Sequence, residues 1–198
     1  MITKKILTES YRYDSLIRSI VKDIIQIFKK ENDGEFYLPE DSEENLGEYI
    51  LKDVEVTVEL ILETTENIDG FLVDGEYYPE DDVIAIKIIY NPKEKQKLIY
   101  TLVGELNELI GHEIRHNYQR NKDMFELSDE VDDETGYEYY SKPHEVDAQY
   151  YGFKRMSKIT RKPFEDLVKD WFRKNKQIHQ MNDEDSEKVI QKILNFNP

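Results

Sequence analysis

The sequence predicts an α+β protein with an N-terminal helix, a small and mostly antiparallel sheet, a long central helix and further helices at the C-terminal end. Residues 54–63 predict a strand because they alternate between apolar and polar side chains, and residues 83–90 predict another because they are mostly apolar. Helical periodicity begins near residue 93 and continues, with interruptions, to the end. No stretch has the composition of a linker, so we expect residues 1–198 to form a single domain.

Before the first predicted strand, the sequence indicates one helix and one acidic loop. Residues 15–30 place leucine, isoleucine and phenylalanine at helical spacing, with Asp14 in the position of an N-cap. Residues 31–48 are rich in acidic side chains and contain glycine and proline, which is typical of a loop. Between the two strands, the Asp74-Gly75 pair is a strong signal for a hairpin turn.

The second half of the chain is predicted to be helical. Asn91 and Pro92 have the residue types of an N-cap and a first helical position, so we expect the long helix to begin there. Residues 121–140 are acidic and rich in tyrosine, and we expect them to be irregular. Ser141 as N-cap and Pro143 in the first turn predict the start of the next helix. Two more helices are predicted, in residues 162–177 and 183–196.

Charge and cysteine content restrict the function. The net charge of −16 argues against nucleic acids and anionic membranes as partners, because both require a basic surface, and it favours a basic substrate. The chain has no cysteine, which excludes disulfides and zinc sites with thiolate ligands. The first residues become polar too early for a signal peptide, and no apolar run is long enough to cross a membrane. We therefore expect an intracellular protein.

Two of the four histidines lie four residues apart on the long predicted helix, in the sequence ELIGHEIRHNYQR. His112 and His116 therefore point the same way and offer two imidazole nitrogens to one tetrahedral zinc ion. Glu113 is rotated by about 100° from His112, so it is suited to hold a water and accept its proton rather than to bind the metal. Gly111 removes side-chain bulk beside this site, which predicts that a neighbouring strand approaches there.

A catalytic zinc site needs a third protein ligand and one open position. His116 is followed by NYQRNK, without a nearby third histidine, so the ligand must come from further along the chain. The candidates are Glu145, in the first turn of the helix after Pro143, and its neighbours His144 and Asp147, which point to other faces of that helix. We favour Glu145 as the metal ligand.

The segments HEIRHNYQ and, roughly thirty residues later, YYSKPHEVDA together resemble the gluzincin type of zinc metallopeptidase. More narrowly, they resemble the small metallopeptidases encoded by tailed bacteriophages. The resemblance spans residues 90–152. It implies a zincin-like fold, zinc as the cofactor, His112, His116 and Glu145 as its ligands, and Glu113 as the general base. It also implies that Tyr139 or Tyr140 stabilises the oxyanion.

The resemblance also yields expectations about the substrate and the place of action. In zincin folds the strand nearest the active-site helix pairs with extended substrate, and residues 83–91 occupy the corresponding position in the sequence; a buried central strand is the alternative. We expect a peptide or protein substrate, no nucleic acid or membrane partner, and contact with other virion or phage proteins. The expected location is the host cytoplasm or the virion. The alternative function is a non-catalytic protein on a zincin scaffold, with a structural or vestigial metal.

Overall fold

A computed structural model describes residues 13–28, 42–51, 54–68, 71–91, 99–125 and 135–197. These residues form six helices and one four-stranded sheet, which confirms the predicted α+β class. The helices are α1 (Asp14–Ile27), α2 (Ile99–Asn121), α3 (Gly136–Tyr140), α4 (Pro143–Thr160), α5 (Phe164–Asn175) and α6 (Asp183–Leu194). The strands are β1 (Ser42–Leu51), β2 (Val54–Thr64), β3 (Phe71–Tyr78) and β4 (Val83–Tyr90). Among the described helices, none is long and apolar enough to cross a membrane.

The sheet has the strand order β1-β2-β4-β3. Its outer pairs, β1 with β2 and β3 with β4, are antiparallel, whereas the central pair of β2 and β4 is parallel, so the sheet is mixed. Strand β4 pairs on both sides, which leaves it no free edge for a substrate. The expectation that residues 83–91 pair with substrate is therefore wrong. Strand β3 is the edge strand on that side of the sheet.

The first hydrophobic core lies between one face of the sheet and helices α1 and α2. Strands β2 and β4 alternate strictly in burial, as the period of two along a strand requires. The side chains they bury include Val56, Val58, Leu60, Ile84 and Ile86, all without solvent exposure. This face packs against the apolar side of α2, so the sheet determines where the candidate site on α2 lies.

A second hydrophobic core joins the C-terminal helices. Helix α4 contacts α2 on one side and α5 and α6 on the other. Phe153, Phe172 and Ile193 are fully buried in this second core, and Tyr140 packs against Phe172 with ring centroids 5.5 Å apart. Helices α5 and α6 match the two predicted C-terminal helices.

Several predicted helix starts and loops differ from the structure. Tyr13, rather than Asp14, is the N-cap of α1; Asp14 is the first helical residue, and its carboxylate forms ion pairs with Arg155 and Lys158 of α4. Lys142 is the N-cap of α4, since Ser141 terminates the short helix α3. Helix α3 replaces the end of the segment predicted to be irregular, and a capping box at its start stabilises it.

The prediction of an acidic loop at residues 31–48 is also only partly correct. Residues 42–48 belong to the edge strand β1, while residues 29–41 lie outside the described part of the chain. The predicted start of the long helix at Pro92 also lies outside it, because residues 92–98 are not described.

Gly75 lies in the middle of β3 and not in a turn, so the hairpin prediction at Asp74-Gly75 is wrong. The turn lies at residues 79–82 instead, where Asp82 adopts a positive φ of 53°. Gly75 has a different role: a Cβ atom there would lie 2.8 Å from Leu109 Cδ2 and 3.0 Å from the Ala85 carbonyl oxygen. Glycine in a strand often marks such a close approach, and here it brings the edge strand against α2.

Candidate metal centre

Helix α2 brings the two candidate histidine ligands together. The Nε2 atoms of His112 and His116 lie 2.9 Å apart, as expected for side chains four residues apart on one helix face. His112 is 6% exposed, and the apolar stripe of α2 beside it packs on the sheet. The ligand atoms of His112, Glu113 and His116 lie within 4.8 Å of one another and can hold a metal ion.

Glu145 approaches the same two nitrogen atoms from the first turn of α4. Its Oε1 lies 3.2 Å from His116 Nε2, and its Oε2 lies 3.4 Å from His112 Nε2. Glu113 is further away, with its Oε1 at 3.9 Å from His112 Nε2. Glu145 is therefore the carboxylate closer to the imidazole pair, although the group whose ligand atoms all lie within 4.8 Å of one another contains Glu113 and not Glu145.

These distances fit a tetrahedral zinc site. Ligand atoms at 2.0–2.2 Å from zinc form a tetrahedron whose edges are about 3.3 Å, close to the separations between the Glu145 oxygens and the two imidazoles. The Oε2 atom of Glu145 is buried and has no hydrogen-bond partner, which is costly for a carboxylate unless a cation binds it. Two imidazoles and one carboxylate are also a common ligand set of catalytic zinc.

The two alternative ligands lie close by but in different positions. His144 lines the cleft, and its Nε2 is 3.7 Å from Glu145 Oε1, so it lies beside the three converging groups. Asp147 is paired with Arg115 instead, through two hydrogen bonds of 2.7 and 3.1 Å. The geometry therefore favours Glu145 over both neighbours.

Gln119 links His116 to Asp147 and was not among the residues singled out in the sequence. Its amide nitrogen donates to Asp147 Oδ2 at 2.8 Å and to the His144 carbonyl oxygen at 2.9 Å. The amide oxygen lies 3.0 Å from His116 Nδ1, so a proton on Nδ1 would leave the Nε2 lone pair available to a metal ion. The spacing of three residues from His116, on one helix face, is the sequence signal that points to Gln119.

Helices α2 and α4 cross at two glycines. A Cβ atom at Gly152 would lie 2.7 Å from the Glu108 carbonyl oxygen, and one at Gly111 would lie 3.2 Å from Arg155 Cδ. Gly111 therefore faces α4, and the prediction that it admits a strand is wrong. The crossing brings Glu145 over the two histidines.

The cleft around the site has a volume of about 820 Å³. Glu113, His116 and Glu145 line one side, together with Tyr139 from α3. Strand β3 and the turn after it line the other side. Tyr140, the second tyrosine implied by the resemblance, instead lies in the second hydrophobic core, where its hydroxyl is 3.2 Å from His179 Nδ1.

A hydrogen-bond network holds the turn after β3 against α2. The Tyr77 hydroxyl donates to Asp82 Oδ1 at 2.6 Å. Asn117 Nδ2 donates to the Tyr77 hydroxyl and to the same Asp82 Oδ1, each at 3.0 Å. Arg120 adds an ion pair with Asp82 at 3.5 Å. Asn117 is one residue beyond His116, so this network connects the wall of the cleft to the same helical turns that carry the histidines.

Burial alters the acid–base properties of the site. Desolvation raises the pKa of Glu113 to about 8, and the nearby Glu145, Glu108 and Glu76 carboxylates contribute in the same direction. Burial would also raise the pKa of Glu145, but the adjacent imidazoles of His112 and His116 hold it well below its usual range. Burial therefore favours the protonated form of Glu113, whereas the two imidazoles keep Glu145 ionised.

Glu108 is a further buried carboxyl group, one helical turn before His112. Desolvation and the neighbouring Glu105 raise its pKa to about 8 from 4.5. The folded state therefore retains a proton that the unfolded chain loses above pH 4.5, so the stability of the fold decreases as the pH rises towards 8.

We expect Glu108→Gln to raise the free energy of unfolding by up to about 4 kcal/mol at pH 9 and to change it little near pH 5. Urea denaturation at both pH values measures this difference, and the exposed Glu55→Gln is the matched control. Equal effects of Glu108→Gln at the two pH values would contradict a raised pKa of Glu108.

Comparison of the chain with protein-family models, curated proteins and solved structures gives no match.

Proposed function

We propose that this chain is a zinc-dependent peptidase that hydrolyses peptide bonds. The observation that carries the proposal is the convergence of His112, His116 and Glu145 beside a cleft, which His116 and Glu145 line together with Glu113. Two imidazoles and a carboxylate, with an adjacent proton acceptor, are the groups that metal-assisted hydrolysis requires.

Each residue has a separate role in this proposal. His112, His116 and Glu145 would hold the zinc ion, which would supply a Lewis acid and lower the pKa of water to about 7. Glu113 accepts the proton of the attacking water and passes it to the leaving amine, and its raised pKa suits a group that exchanges protons near neutral pH.

Tyr139 is the proposed hydrogen-bond donor to the carbonyl oxygen of the cleaved bond. Its hydroxyl belongs to a side chain that lines the cleft. Burial, together with the charges of Glu145 and Glu113, raises its pKa well above its usual range, so the hydroxyl stays protonated. A neutral donor placed there stabilises negative charge that develops on the oxygen.

Strand β3 gives the substrate a place to bind. It is an edge strand of the sheet, and residues 74–78 of this strand line the cleft. An extended peptide adds to such an edge through main-chain hydrogen bonds, which is a common mode of peptide recognition. In the proposal, β3 thus takes the part that the sequence assigned to residues 83–91.

The non-catalytic alternative explains the buried Glu113 less well. A structural metal needs the three ligands, but it does not need a second, desolvated carboxyl group with a raised pKa. Burying such a group lowers stability, and a site selected only for structure is free to lose it. The expected virion or phage partners, and a location in the host cytoplasm or the virion, remain predictions.

Metal removal tests the proposal directly. We expect the purified chain to bind about one zinc ion and to produce new peptide termini in a proteome from its natural host, because the metal is needed to activate water. Mass spectrometry of the termini and elemental analysis of the protein measure both. Chelation should abolish the cleavage and added zinc should restore it, with Mn²⁺ and Co²⁺ compared as alternative metals. Cleavage that persists in metal-free protein would contradict the proposal.

A further inference from the structure

The side of the cleft formed by the sheet is acidic. Asp74 and Glu76 are exposed on β3, and Glu80 and Asp81 are exposed in the turn that follows it. All four residues line the cleft, and they are called the acidic wall below. Asp74 accepts a hydrogen bond from the Gly75 amide at 3.0 Å, and Glu76 accepts one from the Tyr78 hydroxyl at 2.8 Å, so both contacts are with neutral donors.

Positive charge in the cleft does not balance this wall. Among the described residues that line it, the lysines are Lys87 and Lys142, and no arginine is present. The Lys87 ammonium group forms an ion pair with Glu63 at 2.7 Å. Lys142 lies over the ring of Tyr139, 5.8 Å from its centroid. A zinc ion at the bottom of the cleft would compensate Glu145 and leave the acidic wall as it is.

The cleft also contains a buried polar group that faces its interior. Glu113 is 5% exposed and lines the cleft, yet no described residue donates a hydrogen bond to its carboxyl group. A group of this kind indicates that a ligand completes the site. The acidic wall and this carboxyl group therefore border one space, which a bound ligand would share.

We propose that the cleft selects polypeptide substrates with lysine or arginine side chains close to the cleaved bond. This inference rests on the proposed peptidase function and specifies its substrate class. A peptide added to the edge of β3 would place alternate side chains beside the exposed side chains of that strand, which include Asp74 and Glu76. Opposite charges arranged in this way increase both the association rate and the preference for the correct partner.

Peptide binding can be measured separately from cleavage. The probes are fluorescein-labelled decapeptides of alanine and glycine that carry three lysines, three norleucines or three glutamates. We measure their binding to the full-length Glu113→Gln variant by fluorescence anisotropy, with and without zinc. We expect the lysine peptide to bind roughly 10–100-fold more tightly than the norleucine peptide, and the glutamate peptide to bind most weakly. Raising the ionic strength from about 0.05 M to about 0.5 M should reduce the preference, because these charges are exposed.

Matched variants assign the preference to the cleft. The first variant replaces the four carboxylates of the acidic wall by their amides. The control makes the same change of charge at four exposed glutamates of β1 and β2, namely Glu43, Glu44, Glu48 and Glu55. The preference for lysine should disappear in the first variant and persist in the control. Equal preference in the two variants, or none in the parent, would overturn the inference.

Mapping the termini that the wild-type protein produces separates this inference from the proposed function. Cleavage at bonds flanked by lysine or arginine supports both. Cleavage without such a bias refutes the substrate class and leaves the peptidase intact. Binding selective for lysine without any cleavage refutes the peptidase, while the acidic wall still accounts for the selectivity. Melting curves of both fourfold variants verify that each remains folded.

Discussion

Replacing Glu113 with glutamine is expected to reduce hydrolysis roughly 10²–10⁴-fold, the usual contribution of a general base, and to leave the bound metal in place. Glutamine keeps the size of the side chain but does not accept a proton near neutral pH. The two histidines and Glu145 are unchanged, and Glu113 Oε1 is 3.9 Å from the nearer imidazole nitrogen. Metal content should therefore stay the same, and the melting temperature should not fall.

The measurement is the rate at which new termini appear in host lysate, followed by mass spectrometry, together with elemental analysis of both proteins. The exposed Glu55→Gln serves as the control for the change of charge. Identical termini at identical rates from the wild type and Glu113→Gln would show that the proposed mechanism is wrong. If neither protein cleaves while both hold zinc, the non-catalytic scaffold becomes the better explanation.

The second large effect concerns the third ligand. We expect Glu145→Ala to weaken zinc binding by more than about 100-fold, beyond the range observed for residues that only support a ligand. Glu145 is the carboxylate closest to both imidazoles, at 3.2 and 3.4 Å. His144→Ala should have a much smaller effect, since its imidazole lies beside the three converging groups.

Chelator competition measures the zinc affinities of Glu145→Ala and His144→Ala. The double variant His112→Ala/His116→Ala serves as the reference for a destroyed site. A zinc ion that binds only the folded state should raise the melting temperature of the wild type and of His144→Ala, but not that of Glu145→Ala. Stronger loss of affinity in His144→Ala than in Glu145→Ala would identify His144 as the ligand. Stoichiometric zinc retained by the double histidine variant would exclude this metal centre.

Local patterns predicted most of the elements of the fold. The alternation of residues 54–63 predicted β2, and the apolar run at residues 83–90 predicted β4. The order of strands was not predictable in this way, because periodicity identifies a strand but not its neighbours. The acidic composition of residues 42–48 likewise concealed β1, an edge strand whose side chains are mostly exposed and therefore need few apolar residues.

The candidate ligands were predictable because their spacing lies within one or two helical turns. His112 and His116 need only a regular helix to meet. The position of Glu145 depends on how α4 crosses α2. The sequence therefore left three candidates for the third ligand, Glu145, His144 and Asp147, because residue spacing alone does not distinguish them. The contact between Gln119 and Asp147 was not predictable, because the two residues lie 28 positions apart in the chain. The prediction of Asp14 as an N-cap was wrong for a similar reason, because its ion-pair partners lie on α4, far away in sequence.

The crossing of α2 and α4 at Gly111 and Gly152 has a consequence for how this chain tolerates change. Main-chain atoms set the spacing of the two helices there, since a Cβ atom on Gly152 would lie 2.7 Å from a carbonyl oxygen. Substitutions of one aliphatic side chain for another in either core do not involve this main-chain contact. We therefore expect them to leave the distance from Glu145 to the imidazoles unchanged. A single methyl group at Gly152 would instead separate the helices, and the ligands would part while the hydrophobic cores remained filled.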